Sequence, residues 1–208
     1  ELDVWSGDQM RTFLERTRAE REWPLWRLLL STGMRRGELL GLHWDDVDLS
    51  AGRLTVRQTR GMVESRVEAG TPKTRSGSRT LALDAGTVAA LKAWKSQQAA
   101  ERLVIGTLWP DTDGLVVLEA DGTPVHPQVL SRRFKAAATR AGVRVIRLHD
   151  TRHSYATAAL AAGVPVKVLS QRLGHADITV TLRIYAHVLP GDDEAAATRA
   201  AAVLDGGP

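Results

Sequence analysis

Apolar residues recur at helical spacing at both ends of the chain and alternate only in between. Met10, Phe13 and Leu14 follow a Ser6…Gln9 pair that resembles a capping box, which predicts a first helix to about Ala19. Pro24 can open a second helix through Leu25, Leu28 and Leu29, broken at Gly33. Arg35 to Leu42 reads as a short third helix with Leu39, Leu40 and Leu42 inward. The period then drops to two. Leu54, Val56 and Gln58 alternate with Thr55, Arg57 and Thr59, and Val63–Val67 and Arg79–Leu83 complete three predicted strands within 53–83. Helical spacing returns at 85–102 through Val88, Leu91 and Trp94. Residues 115–125, with the Asp121-Gly122 turn pair, are two short strands or a loop. Further helices are predicted from Pro127 to Arg140, His149 to Gly163 and Pro165 to Gly174. Another segment begins at Asp177 or Thr179 and contains Tyr185, and an Ala-rich tail helix covers about 191–204. The pattern is α+β and mostly helical, with a small antiparallel three-stranded sheet in the N-terminal half.

Composition narrows the chemistry. The 208 residues contain no cysteine, so disulfides, thiolate metal sites and a cysteine nucleophile are excluded. No apolar run approaches the roughly 18 residues that span a bilayer. No signal-peptide pattern opens the chain, and a cytoplasmic location is the default expectation. The first methionine is Met10, so the chain reads as a piece of a longer protein. The net charge of +4 is unevenly spread. Residues 126–187 hold ten Lys/Arg against two Asp/Glu and five of the six histidines. Residues 53–79 carry seven Lys/Arg against Glu64 and Glu68. Arg outnumbers Lys 23 to 5, as a GC-rich genome would also produce, so some of these arginines are simply solvated.

The motifs for phosphate-binding loops, dinucleotide binding, zinc proteolysis and the serine-hydrolase elbow are absent. What remains is a set of individually weak signals. Arg35 and Glu38 share a helix face and could be a surface ion pair. His149 lies three residues before Arg152 and four before His153; such a histidine pair could hold a metal only with a third ligand. Tyr155, among alanines, reads as a packing tyrosine, and Tyr185 as the more accessible phenol. Together these residues suit one chemistry. Arginines clamp a phosphate, histidines donate or move protons, and a tyrosine attacks phosphorus to give a covalent ester.

At these residues the sequence resembles the tyrosine recombinases of the phage integrase family, specifically their catalytic domain. TGMRRGELLGLHWDDVDL is similar to the first-arginine motif and places the arginine at Arg35 and its supporting acid at Glu38. TPKTRSGSRTLAL resembles the β-hairpin carrying a catalytic lysine, here Lys73. LHDTRHSYAT matches H-x-x-R at His149 and Arg152, and LGHADITVTLRIYAHV supplies His175 and the nucleophile Tyr185. The resemblance runs from about Val4 to Leu189.

The resemblance implies a DNA strand-exchange enzyme. Tyr185 would form a 3′-phosphotyrosyl link, Arg35, Arg152 and His175 would bind the non-bridging oxygens, and His149 would accept the phenol proton. Lys73 would protonate the leaving 5′-oxygen, and Glu38 would orient Arg35 or a histidine. No metal, ATP or other cofactor is implied. The implied partner is double-stranded DNA, with four protomers on two paired sites, a monomer in isolation, and no membrane. The charge map makes Arg57, Arg75, Arg79, Arg132, Arg133, Lys167 and Arg172 candidate DNA contacts. All of 1–208 then reads as one catalytic domain, with the family's core-binding and arm-binding domains absent. Val203 and Leu204 could give the tail helix an apolar contact. Three alternatives stay open: a topoisomerase IB-like relaxing enzyme, a non-cleaving DNA-binding module of the same fold, and a hydrolase with metal on His149 and His153.

Overall fold

A computed structural model describes residues 3–63, 66–70, 78–185, 197 and 201. Helix α1 (Gly7–Arg16) begins with the expected capping box: Gln9 N–H donates to Ser6 Oγ, and Ser6 N–H donates to Gln9 Oε1. Helix α2 (Trp23–Thr32) takes Pro24 in its first turn and ends on Gly33 at φ +66°. A Cβ on Gly33 would lie 2.5 Å from the Tyr155 ring, so this position needs both glycine's backbone freedom and its lack of a side chain. The short helix α3 (Arg36–Leu40) follows at once.

The sheet region departs from expectation in its composition. Strands β1 (Val47–Asp48), β2 (Arg53–Val56) and β5 (Arg79–Ala82) form the three-stranded antiparallel sheet, in the order β1-β2-β5. The expected middle strand pairs elsewhere: β3 (Thr59–Val63) and β4 (Arg66–Gly70) make a separate two-stranded antiparallel sheet. Leu54 sits opposite Leu81, and both are buried. Arg79 shares the Leu81 face of β5 by the two-residue period of a strand, so it too points inward.

Helix α4 (Ala85–Ile105) is capped by Asp84, whose carboxylate accepts from Thr87 N–H. Residues 115–125 resolve as loop with isolated bridges, His43 to Leu115 and Leu118 to Pro124. Helices α5 (Pro127–Arg140), α6 (Asp150–Ala161), α7 (Val166–Leu173) and α8 (Ile178–Tyr185) complete the described fold. The tail helix expected over 191–204 lies outside the described residues, apart from 197 and 201.

The described residues form two cores. The larger joins α1–α5, the sheet and Ile146–Leu148, around the ring cluster of Trp5, Phe13, Trp26 and Phe134. The smaller lies among α6, α7 and α8 and buries Ala156, Leu160, Leu169, Leu173 and Tyr185. Backbone and side-chain bonds from Trp5 to Ser154 and Arg144 tie the start of the chain to the C-terminal half. Among the described residues no helix is long and apolar enough to cross a membrane.

Candidate active site

Glu38 organises one side of the site. It is 2% exposed and its carboxylate accepts from Arg35 through both the backbone N–H and Nη1, each at 2.8 Å. The backbone bond is the reach-back half of a capping box at the start of α3. From the opposite direction Arg79, on β5, donates Nη1 and Nη2 to the two carboxylate oxygens at 3.0 and 2.9 Å. Arg79 Nε donates to the Arg172 carbonyl. Burial pushes the Glu38 carboxyl up, but the bonds and charge of Arg79, then Arg35, outweigh it and hold the group below its ordinary value. Arg35 keeps 40% of its side chain exposed, whereas Arg79 keeps 8%.

Arg152 is held differently. It is 3% exposed, and its Nη1 and Nη2 donate to the carbonyls of Gly33 and Leu173 at 2.8 and 2.7 Å. These carbonyls close α2 and α7, where the helix dipole is negative. Gly174, at φ +68°, lets α7 end there. Burial, then the Arg35 charge, lowers the Arg152 pKa to about 9, so the group stays charged at neutral pH. Among the described residues no carboxylate lies within ion-pair distance of it.

Tyr185 ends α8 and is 1% exposed, not accessible as its sequence context suggests. Its ring fills the small core, which leaves the hydroxyl as the only part with a polar partner. That partner is His153: Nδ1 and Tyr185 Oη are 2.7 Å apart. Burial pushes the phenol up to about 12, with the Arg152 charge pulling the other way. His149, at the start of α6, meets the His153 ring edge-on at 5.4 Å. Burial and then Arg152 push the His149 pKa down. His175 Nδ1 lies 2.8 Å from Thr181 Oγ1, and burial, then Arg152 and Arg35, lower its pKa to about 4. Both rings are therefore neutral at neutral pH. With the Thr181 hydroxyl donating, the His175 hydrogen sits on Nε2.

Arg35 and Arg152 both push the His149 and His175 pKa values down, so the four groups lie within electrostatic reach of one another. Beside them, a cavity of about 480 Å³ is lined by Arg35, Arg36, Ser131, Lys135, Arg147 and His149. A larger cavity of about 560 Å³, between α4 and Trp109–Leu118, contains none of the candidate residues. Among the described residues no group of three His, Cys, Asp or Glu could hold a metal, so His149 and His153 find no third ligand.

Other sequence candidates are scattered. Lys73 and Arg75 lie outside the described residues. Arg79 is committed to Glu38, and Arg133 is shared between Glu22 and Glu119. Arg57 faces Asp46 at 3.2 Å. Arg172 Nε donates to the Tyr155 hydroxyl at 2.6 Å. Arg132 and Lys167 are exposed. Sequence reasoning missed two partnerships, His153 with Tyr185 and Arg79 with Glu38. The first was signalled by His153 following Arg152 on α6, the second by Arg79 sharing the Leu81 strand face.

The phage integrase family matches residues 6–191, and the chain belongs to that family. It is 32% identical over 201 residues to the tyrosine recombinase XerC-like protein of Caldanaerobacter subterraneus subsp. tengcongensis, covering 91% of this chain and 51% of that protein. It is 28% identical to the ICEBs1 integrase of Bacillus subtilis, covering 76% and 43%. The chain thus spans about half the length of the curated relatives it matches. Among solved structures, the Tn1549 transposon integrase in complex with circular intermediate DNA superposes with a TM-score of 0.80 at 22% identity, covering 96% of this chain and 67% of that one. The catalytic domain of bacteriophage HP1 integrase gives 0.60 at 20% identity, covering 95% of both chains. These likenesses show the fold.

Proposed function

We propose that this chain is the catalytic domain of a site-specific DNA recombinase, cleaving and rejoining strands through a 3′-phosphotyrosyl intermediate. The observation that carries it is Tyr185 bonded through its hydroxyl within a centre where Arg152, Arg35, His149 and His175 act on one another electrostatically. In this reading Tyr185 Oη attacks the scissile phosphorus. The non-bridging oxygens are met by Arg35, Arg152 and the His175 ring, which hold the growing negative charge without moving. His149 borders the strand path from the basic cavity. Glu38 fixes Arg35, and Lys73 protonates the departing 5′-oxygen. The ester conserves the energy of the broken bond, so a 5′-hydroxyl from a partner strand reverses the reaction. Double-stranded DNA is the partner, and four copies act on two sites in the cytoplasm. The Tn1549 integrase complex supports this reading by likeness of fold.

The test uses nicked duplexes carrying random sequence, from which the chain captures its own substrate covalently. An adduct that forms with EDTA present and vanishes in Tyr185→Phe is expected. No adduct from any duplex favours the non-cleaving DNA-binding module. An adduct persisting in Tyr185→Phe removes the nucleophile assignment.

A further inference from the structure

The family resemblance gives the phenol proton to His149, yet a different ring touches the phenol. We propose that His153 is a catalytic residue of strand cleavage, its Nδ1 taking the Tyr185 proton as Oη bonds to phosphorus; this rests on the recombinase reading above.

Geometry supports it first. His153 Nδ1 lies 2.7 Å from Tyr185 Oη, with the ring planes inclined at 49°. His149 stands one ring further out, edge-on to His153. His153 also follows Arg152, which is tied to α2 and α7 through two carbonyls. The helix that carries the acceptor is therefore fixed relative to the phosphate-binding arginine. Position decides between the two histidines, because a general base must lie within hydrogen-bond reach of the proton it takes.

Burial explains why such a contact is needed. Tyr185 is 1% exposed, so bulk water has little access to its hydroxyl, and its phenol is pushed up to about 12. A nucleophile of that kind stays protonated at neutral pH unless a neighbouring base accepts the proton in the transition state. His153 is in the form that can do so. Burial, then the neighbouring His149 and the Arg152 charge, lower its pKa, while Asp150 raises it, so the ring is in its neutral form at neutral pH.

The step balances. An electron pair on Oη forms the O–P bond as the P–O5′ bond breaks and its pair leaves on O5′. The phenol hydrogen moves to Nδ1, and the ring, already bearing hydrogen on Nε2, becomes imidazolium. O5′ takes a separate proton from the leaving-group donor, which is Lys73 in the proposed function. On rejoining, the imidazolium returns its proton to the phenol.

The test measures single-turnover adduct formation by the full 208-residue chain on the captured nicked duplex. One version carries the ordinary scissile phosphate and another carries a 5′-bridging sulfur, which leaves as thiolate and needs no proton donor. Loss of a general base should slow His153→Ala about 100-fold on both versions. Added imidazole should recover part of the rate. His153→Gln offers an acceptor that cannot be protonated at neutral pH, so it should stay slow, and it serves as the readout if the alanine variant fails to fold. Three results overturn the proposal: a rate within about threefold of wild type in either variant, recovery on the sulfur substrate, or a larger loss in His149→Ala than in His153→Ala. Absence of any wild-type adduct removes the recombinase reading itself, and this proposal with it.

Discussion

Arg35 and Arg79 meet Glu38 against the large core, where 27 buried residues pack together, while Arg152 and Tyr185 belong to α6 and α8, whose own cluster has five. On the first side positive charge is neutralised within the protein: Glu38 receives four hydrogen bonds from two arginines. On the second side, among the described residues, the buried Arg152 guanidinium is bonded to neutral carbonyls, and the Glu38 charge reaches it only from beyond ion-pair distance. Burying a charge without a counter-charge costs several kcal/mol. In the proposed function that cost is recovered when the scissile phosphate arrives, so the second side is the one that waits for an anion. In the proposed function the two sides divide the work: Glu38 holds the scaffold of the site, and Arg152 with Tyr185 carries the chemistry.

The largest effect that would sharpen this division is on stability. Glu38→Ala should cost about 3–5 kcal/mol, because it removes the carboxylate that the buried Arg79 and Arg35 both bond. The measurement is denaturant unfolding of variant and wild type at matched pH. The Glu38 carboxyl is held below its ordinary value of 4.5. A depressed carboxyl contributes fully above its unfolded value and loses that contribution as pH falls through the folded one. The gap between wild type and Glu38→Ala should therefore be full at pH 7 and shrink below about pH 4. A gap under about 1 kcal/mol at neutral pH would put Glu38 among ordinary surface pairs and break the comparison.

Arg152→Ala should act on the other quantity. Removing one preorganised donor to a developing oxyanion costs about 10²–10³ in rate. Adduct formation should fall by that factor, while gel-shift affinity for the captured duplex falls far less. Equal losses in binding and cleavage would make Arg152 a general DNA contact and dissolve the contrast with Glu38. Arg152→Lys should not restore the rate, since one ammonium cannot span both the Gly33 and Leu173 carbonyls and still face a phosphate.

The same division explains what could be read from the chain. Helices were legible where punctuation is local: Ser6 with Gln9, Pro24, Gly33, Pro127 and Gly174 all stand at or beside helix ends in the structure. The three-stranded sheet was legible in size but not in membership, because pairing is non-local. Val47–Asp48 is too short to show alternation, and Val63 pairs with Arg66 in a separate two-stranded sheet. Individual residues of the centre were visible through motif spacing, whereas their partners were not. Periodicity puts Arg79 on an inward strand face and His153 beside Arg152, but it does not say that Arg79 will cross 41 positions to reach Glu38, or that His153 rather than His149 will face a tyrosine 32 positions on. Tyr185 was misjudged as accessible for a related reason. Its polar neighbours in sequence say nothing about α6 and α7, which bury it.

The finest separation the structure draws is among the basic residues outside the centre. Charge alone put Arg79, Arg132, Arg133 and Lys167 together as candidate DNA contacts. Their surroundings divide them: Arg133 is held by Glu119 and Glu22, and the Glu119 hydrogen bond, then the charge of both, raises its pKa, whereas Arg132 and Lys167 stand exposed. A cation already paired to carboxylates must break those bonds to neutralise a phosphate, so it releases fewer counterions on binding. Each true phosphate contact adds about 0.9 to the slope of log affinity against log salt. With Tyr185→Phe as the background, so that only non-covalent binding is read, Arg132→Ala and Lys167→Ala should each flatten that slope by about 0.9 on the captured duplex. Arg133→Ala should change it by less than half as much. Equal slopes for Arg132→Ala and Arg133→Ala would mean that DNA outcompetes Glu22 and Glu119. Paired arginines would then count as contacts too, and pre-neutralisation would distinguish only the buried fork at Glu38.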